Sequence, residues 1–327
     1  MSRFYLVTGA SGFIGSALVR ALVKEGNRVR ALDDDSRGSR GRLRDIETQI
    51  EWVQGDVRDP ATVSRAVIGT DAVCHLAAVN GTEYFYTRPD LVLEVAAKGI
   101  INVLDACIAH GVGELFVASS SEVYQTPPEV PTDENVPLSI PDPLNPRFSY
   151  GGGKIISELL ALNYGRTKFE RVVIVRPHNV YGRDMGWEHV IPQFALRMHE
   201  LCAAGKGVVK FQIQGSGLET RSFVYIDDMI AGLPKVMEKG EHLGIYHVGT
   251  EDEVTINELA QEVARNFGRE IEIVPGKLQL GGTLRRCPNI SKMRALGYEP
   301  AISLKEGLSM TIPWYIENAG KNTPRPL

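Results

Sequence analysis

Short apolar or β-branched runs recur through the first half of the chain: "RFYLVT", "RVRALD", "IEWVQGD", "DAVCHLAA", "ELFVASSS" and "ERVVIVRP", the last ending at Pro177. Between them stand segments of helical pattern, with apolar residues returning every three or four positions. Strand and helix alternating in this way build a parallel sheet covered on both faces, whose strands are nearly continuous in apolar residues. The pattern predicts an α/β fold with a doubly wound parallel sheet. After Pro177 glycine, proline and aromatic residues break the rhythm. Helices are predicted near 190–204, 227–239 and 256–267, and short strands near 208–213, 222–225 and 245–248. We assign 1–176 to the sheet domain, completed by part of 222–250, and 177–316 mainly to a smaller C-terminal, substrate-binding lobe. Residues 317–327 are expected to form a flexible tail.

One segment works against its own pattern. "SYGGGK", Ser149–Lys154, leads into the helical run "IISELLALNYG", yet each glycine inside a helix is worse than alanine by about 1 kcal/mol. Two arrangements are open. Either 149–153 is a loop and the helix begins at Lys154, or it begins at Ser149 or Tyr150 and the glycines leave a bare surface that cofactor or sugar approaches closely.

Composition narrows the partners. With 43% hydrophobic and 23% charged residues in 327, the chain is an ordinary globular one. A net charge of -4 argues against a nucleic-acid surface, while leaving local arginines to hold an anionic small molecule. Cys74, Cys107, Cys202 and Cys287 are dispersed and form no metal-binding spacing, so no metal is expected. No basic leader precedes an apolar stretch, and no run approaches the roughly 18 apolar residues of a membrane span; a cytoplasmic protein is expected.

"TGASGFIG" follows the first strand and opens a helix, which gives Gly9, Gly12 and Gly15 the setting of a Rossmann-like dinucleotide turn. There the backbone comes close to a pyrophosphate, and the helix N-terminus offers free N–H groups. Asp33 ends the second strand, 18 residues after Gly15, where an acid meets ribose hydroxyls; NAD is favoured over NADP. Arg37, Arg40 and Arg42 follow, either to neutralise a 2′-phosphate or as a solvated basic loop. Asp56 in "GDVRD" either reaches the adenine amino group or caps a helix.

Tyr150 and Lys154 stand four apart, on one helix face, where the ammonium can lower a phenol pKa from about 10 and make the pair a base. Gly9-x-x-Gly12-x-x-Gly15, "SSSEVY", Tyr150-x-x-x-Lys154 and "RPHNVYG" together resemble the extended short-chain dehydrogenase/reductase family that modifies nucleotide sugars. The resemblance runs to about residue 316. It implies an enzyme with retained NAD, a nucleotide-diphosphate sugar as substrate, a 4-keto sugar intermediate and a homodimer through the helices around 90–110 and 150–165. It implies cofactor contacts from Gly9, Gly12, Phe13, Ile14, Gly15, Asp33, Asp56 and Val57, and from Leu76, Ala77, Ala78, Tyr150, Lys154 and Pro177. Ser120 matches the family serine or threonine that bonds the sugar oxygen.

Glu122 bears on the outcome. Simple 4-epimerases of the family commonly lack a carboxylate here, whereas dehydratases and decarboxylases carry Ser/Thr-x-Glu, and this chain has Ser120-Ser121-Glu122. Oxidation at C4 acidifies the C5 proton, and a carboxylate that takes it permits loss of the C6 hydroxyl or inversion at C5. Glu122 is thus the candidate base, with Ser121 near the leaving group; the plainer alternative is a glutamate that caps or solvates its loop. A 4,6-dehydratase or C5-type epimerase is expected, with a 4-epimerase, a decarboxylase or a non-catalytic NAD-binding regulatory protein as alternatives. Arg221 and Arg286 match positions that contact nucleotide and diphosphate, and Asn179 one near the sugar phosphate. Tyr84, in "VNGTEYFYTRP", is similar to a tyrosine of the nucleotide-sugar decarboxylases. Ala96 stands where many relatives have Asn. "GLETRSF" and "LKEGL" are also similar to GDP-mannose 3,5-epimerases, whose catalytic Cys is replaced by Glu122.

Overall fold

The six apolar runs fold as β1 (Phe4–Thr8), β2 (Arg28–Asp33), β3 (Ile50–Gln54), β4 (Ala72–His75), β5 (Glu114–Ala118) and β6 (Arg171–Pro177). A computed structural model describes residues 2–205, 207–277 and 281–321. Between the strands lie α1 (Phe13–Lys24), α2 (Pro60–Val67), α3 (Thr82–Thr87), α4 (Pro89–His110) and α5 (Ser149–Lys168). The later part holds β7 (Val180–Tyr181), α6 (Val190–Ala204), β8 (Val209–Gln212), β9 (Thr220–Ser222), β10 (Val224–Tyr225) and α7 (Ile226–Lys239). It continues through β11 (Gly244–Val248), β12 (Glu253–Thr255), α8 (Ile256–Asn266), β13 (Ile271–Val274), β14 (Arg285–Arg286), α9 (Ser291–Ala295) and α10 (Leu304–Glu317).

Seven strands form one parallel sheet in the order β11-β6-β5-β4-β1-β2-β3. Successive side chains of a strand point to opposite faces, and both faces of the central strands are covered, while the edge strand β3 has no buried residue. Leu6, Leu32, Val73, Val117 and Ile174 pack among residues of α2 and α4, while Val7, Ala31, Cys74 and Val175 pack among those of α1 and α7. That two-sided burial is why the runs read as continuously apolar. The chain winds outward on either side of β1, so a crevice opens where β1 and β4 part at their carboxyl ends.

The C-terminal lobe closes around Phe194, Phe211, Leu259, Val263 and Leu308, drawn from α6, β8, α8 and α10. Thr255 with Glu258 and Ser303 with Glu306 form capping boxes that start α8 and α10. The stretch expected as one strand at 222–225 is split at Phe223: β9 pairs with β12 and β14, and β10 pairs with β7. After α10 a 3-10 turn spans Ala319–Lys321; the rest of the expected tail, 322–327, lies outside the described residues. Among the described residues no helix is long and apolar enough to cross a membrane.

α5 begins at Ser149, glycines included. A Cβ on Gly151 would stand 2.8 Å from the Glu122 carbonyl oxygen, and one on Gly153 would stand 2.8 Å from the Ala96 Cβ of α4. Gly152 has nothing nearer than the Ile140 Cδ1, at 3.4 Å. At Gly151 and Gly153 the bare surface therefore serves close packing of protein on protein rather than room for a ligand, with the small Ala96 facing Gly153 across the α4–α5 contact. Helix propensity is overridden by tertiary contact.

Candidate active site

β1 delivers the chain to a turn that side chains would block. Gly9 has φ +70°, in the left-handed region that favours glycine, and its N–H donates to the Leu32 carbonyl at 3.0 Å. A Cβ on Gly9 would stand 2.8 Å from the Ala77 nitrogen, and one on Gly15 would overlap the Gly9 carbonyl oxygen. α1 starts from Gly12 with no side-chain cap among the described residues, in contrast to α2, whose cap is Asp59. The first N–H groups of α1 and the positive end of its dipole are left for an anion.

One cleft runs from this turn to Tyr150. Gly9, Gly12, Phe13, Ile14, Gly15, Asp33, Asp56 and Val57 line it, with Leu76, Ala77, Ala78, Lys154 and Pro177. Asp33 accepts hydrogen bonds from the Ser11 and Asp35 N–H groups, each at 2.9 Å, and its burial raises its pKa. Asp56 does not cap α2. Burial opposes its charge, but hydrogen bonds from Arg58, one at 2.6 Å, prevail and hold its carboxyl below the usual range. The three arginines after Asp33 are each engaged by protein. Arg37 donates to the Asn80 carbonyl and lies over the Tyr84 ring, Arg40 lies over Trp52, and Arg42 binds Asp184 and the Ser11 carbonyl.

Ser120, Ser121, Glu122, Tyr150, Lys154, Asn179 and Arg286 line the same cleft. Ser120 follows the end of β5, and its Oγ accepts from the Glu122 N–H at 3.2 Å. Lys154 is buried; its Nζ donates to the Ala118 carbonyl at 2.6 Å and lies 5.8 Å from the Tyr150 ring centre. Burial pulls this ammonium down to about 8, against the nearby charge of Glu158. The helix spacing does place the two residues together, but the Tyr150 phenol is shifted upward, not downward. Burial raises it, the Ser120 hydrogen bond draws it back in part, and the Glu122 charge adds to the rise.

Glu122 sits in a nest of cations. Its Oε1 accepts from the Arg286 Nη1 at 2.8 Å, and its Oε2 lies 3.6 Å from the Arg147 Nη2. Burial opposes the carboxylate, yet the charges of Arg286 and Arg147 outweigh it, with help from Arg221, and pull its pKa down to about 2. Arg221 does not line the cleft with them. It lies behind, donating to the Thr283 carbonyl at 2.8 Å, while the Thr283 Oγ1 accepts from Arg286 at 2.9 Å. Tyr84 is also outside the lining: Arg37 covers its ring, and the next residue, Phe85, faces the cleft and stacks on Tyr150 at 5.2 Å.

Comparison with known proteins identifies the family. Residues 5–249 match the model of the NAD dependent epimerase/dehydratase family. The chain belongs to that family. A dTDP-glucose 4,6-dehydratase of Streptomyces antibioticus is 30% identical over 323 residues, covering 96% of this chain and 92% of that protein. UDP-glucuronic acid decarboxylase 6 of Arabidopsis thaliana is 32% identical over 315 residues, covering 93% and 86%. Among solved structures, a Streptomyces venezuelae dTDP-glucose 4,6-dehydratase with NAD and TYD bound superposes with a TM-score of 0.86 at 30% identity, covering 99% and 100%.

For this family member the glycine cradle and uncapped α1 have the form that the pyrophosphate of NAD requires, so the residues present fit that cofactor. Several lining residues escape sequence reasoning. Phe85 and Arg147 carry no motif spacing, although Phe85 falls in the aromatic segment that holds Tyr84. His75, at the end of β4 and outside the lining, bonds to the Thr8 Oγ1 at 2.8 Å and is kept neutral by burial, its pKa lowered to about 3.

Proposed function

We propose that this protein is an NAD-dependent nucleotide-sugar enzyme that oxidises its substrate at C4 and completes its reaction at C5 and C6. The observation that carries this is the single cleft joining the glycine turn and Asp33 to Ser120, Glu122, Tyr150, Lys154 and Arg286. Gly9, Gly12, Phe13, Ile14 and Gly15 hold the cofactor's pyrophosphate, and Asp33 accepts from its ribose hydroxyls. Asp56, Val57, Leu76, Ala77, Ala78 and Pro177 form the walls beside it. Arg37 and Arg42 are held by hydrogen bonds to protein and Arg40 lies over Trp52, an engagement that supports NAD over NADP. NAD supplies the hydride acceptor and, after the sugar has reacted, the hydride donor.

Tyr150 takes the C4 hydroxyl proton, and Ser120 bonds to the same oxygen. Because burial disfavours the tyrosinate, the neighbouring Lys154 charge and the Ser120 hydroxyl must stabilise it when the proton moves. Asn179, Ser121 and Arg286 bind the sugar diphosphate and its nucleotide, Arg221 adds its charge from behind them, and Tyr84 orders the loop through Arg37.

Of the later steps, loss of CO2 from a C6 carboxylate fits best. A 4-keto sugar with that carboxylate is a β-keto acid, and its C5–C6 bond breaks without a base at C5 or an acid at C6. Eliminating a C6 hydroxyl needs both. Glu122, held ionised by the charges of Arg286 and Arg147, is a weakened base, and the buried Ser121 hydroxyl is a poor acid. Arg147 offers the substrate carboxylate a cation beside Tyr150. C5 proton abstraction by Glu122 is the second possibility, supported by Arg286 itself: if the diphosphate draws Arg286 away, Glu122 becomes more basic.

Incubation with UDP-, dTDP-, GDP- and CDP-linked glucose and glucuronate in deuterated water, followed by NMR, tests this. The expected product is a pentose from a glucuronate, with deuterium at C5. A 4-keto-6-deoxy sugar from a glucose would establish the dehydratase instead, and C4 inversion without label a 4-epimerase.

A further inference from the structure

Two loops meet across the cofactor end of the cleft. Arg42, in the 3-10 stretch Arg40–Gln49, donates through Nε to Asp184 Oδ2 at 2.7 Å and through Nη2 to Asp184 Oδ1 and the Asp184 carbonyl, both at 2.9 Å. Its Nη1 donates to the Ser11 carbonyl at 2.8 Å, an oxygen that also accepts from the Ser39 N–H at 3.0 Å. One guanidinium thus ties the glycine turn to the loop after β7. Arg37 makes a looser parallel reach, 4.0 Å from Glu188. Arg37 and Arg42 line the cleft from one side, and Met185 and Gly186, next to Asp184, line it from the other. Asp184 is set for this task at a backbone φ of 59°, a left-handed conformation that aspartate and asparagine tolerate better than most residues.

We propose that Arg42 and Asp184 are positioning residues that latch the two walls together and so retain NAD between turnovers. The inference rests on NAD occupying this cleft. It adds what the glycine turn alone does not provide. An enzyme that returns hydride to its own substrate gains nothing from cofactor exchange, and a bidentate Arg–carboxylate pair is a directional tie. Both partners keep some solvent exposure, so the tie is of moderate strength and sensitive to salt.

The test is the rate at which bound NAD leaves the holoenzyme, followed by dilution into excess unlabelled NAD after loading with isotopically labelled NAD. Asp184→Asn keeps a residue suited to that φ and removes the charge. It should speed release about tenfold, the loss of one charge-assisted tie. Arg42→Gln should do at least as much, and the double variant should be no faster than Arg42→Gln alone, because the two act as a pair. Added salt should speed release from the native protein and change Asp184→Asn much less. Release from Asp184→Asn within twofold of native, or additive effects in the double variant, overturns the latch. If those variants only lower the melting temperature of the NAD-free protein while release is unmoved, the pair is structural and the proposal fails. A native protein that binds no NAD overturns the cofactor assignment as well.

Discussion

At pH 7 the Glu122 carboxylate is ionised and bonded to Arg286 at 2.8 Å, and acid must break that pair to protonate it. Its pKa is about 2 in the folded chain against an ordinary 4.5. A carboxyl depressed in this way contributes stability that is complete above pH 4.5 and is lost as the pH falls toward 2. Between those limits the native protein should therefore lose on the order of 2–3 kcal/mol more than Glu122→Gln, whose side chain does not titrate. Urea unfolding at a series of pH values measures the difference, and parallel stability curves would show that Glu122 is not coupled to the arginines. The site was legible wherever chemistry demands spacing: three glycines at a strand end, Tyr150 four before Lys154, Ser120 two before Glu122. The cation nest was not, because Glu122 and Arg286 lie 164 residues apart and only the fold makes them neighbours. The same distance hid the charge state of Glu122, the candidate base of the sequence reading.

Among elements, α5 separates what propensity disfavours from what packing requires. Gly152 faces open space beyond Ile140, so Gly152→Ala should stabilise the protein by up to about 1 kcal/mol through a less flexible unfolded chain, with KM unchanged. Gly153 faces Ala96 across the α4–α5 contact, and Gly153→Ala should destabilise by roughly 1–3 kcal/mol because the helices must move apart. Adding Ala96→Gly to Gly153→Ala should restore part of that loss. Denaturant midpoints decide the matter: equal stabilisation by both single alanines would mean that close helix packing does not explain the glycines. The central strands were legible because burial on both faces makes them largely apolar, as in β1 and β6, whereas the edge strand β3 has no buried residue. The start of α5 was not, since local propensity and tertiary contact point in opposite directions there. Nor was the split between β9 and β10, because pieces of three and two residues take their partners from distant parts of the chain.

For the whole molecule, the outer surface of α4 and α5 remains apolar after their inner faces have packed. Leu93, Ile101 and Ile108 on α4 and Ile156 and Leu159 on α5 are 38%, 39%, 39%, 40% and 54% exposed. They recur at helical spacing on two adjacent helices, a patch of the kind that marks an interface. We propose that it meets the same patch of a second copy about a two-fold axis, giving a four-helix contact behind the helix that carries Tyr150 and Lys154. Leu159 is the most exposed of the five, so Leu159→Glu should change the isolated protomer little, surface substitutions usually staying within about 0.5 kcal/mol. In a two-fold contact it would bury two like charges without partners, and the dissociation constant should rise a hundredfold or more, since like charges set against each other cost several kcal/mol. In sedimentation at micromolar concentration the native protein should run as a dimer and Leu159→Glu as a monomer. The native melting temperature should rise with protein concentration, while that of the variant should not. A native protein that sediments as a monomer would leave the apolar face without the partner proposed for it.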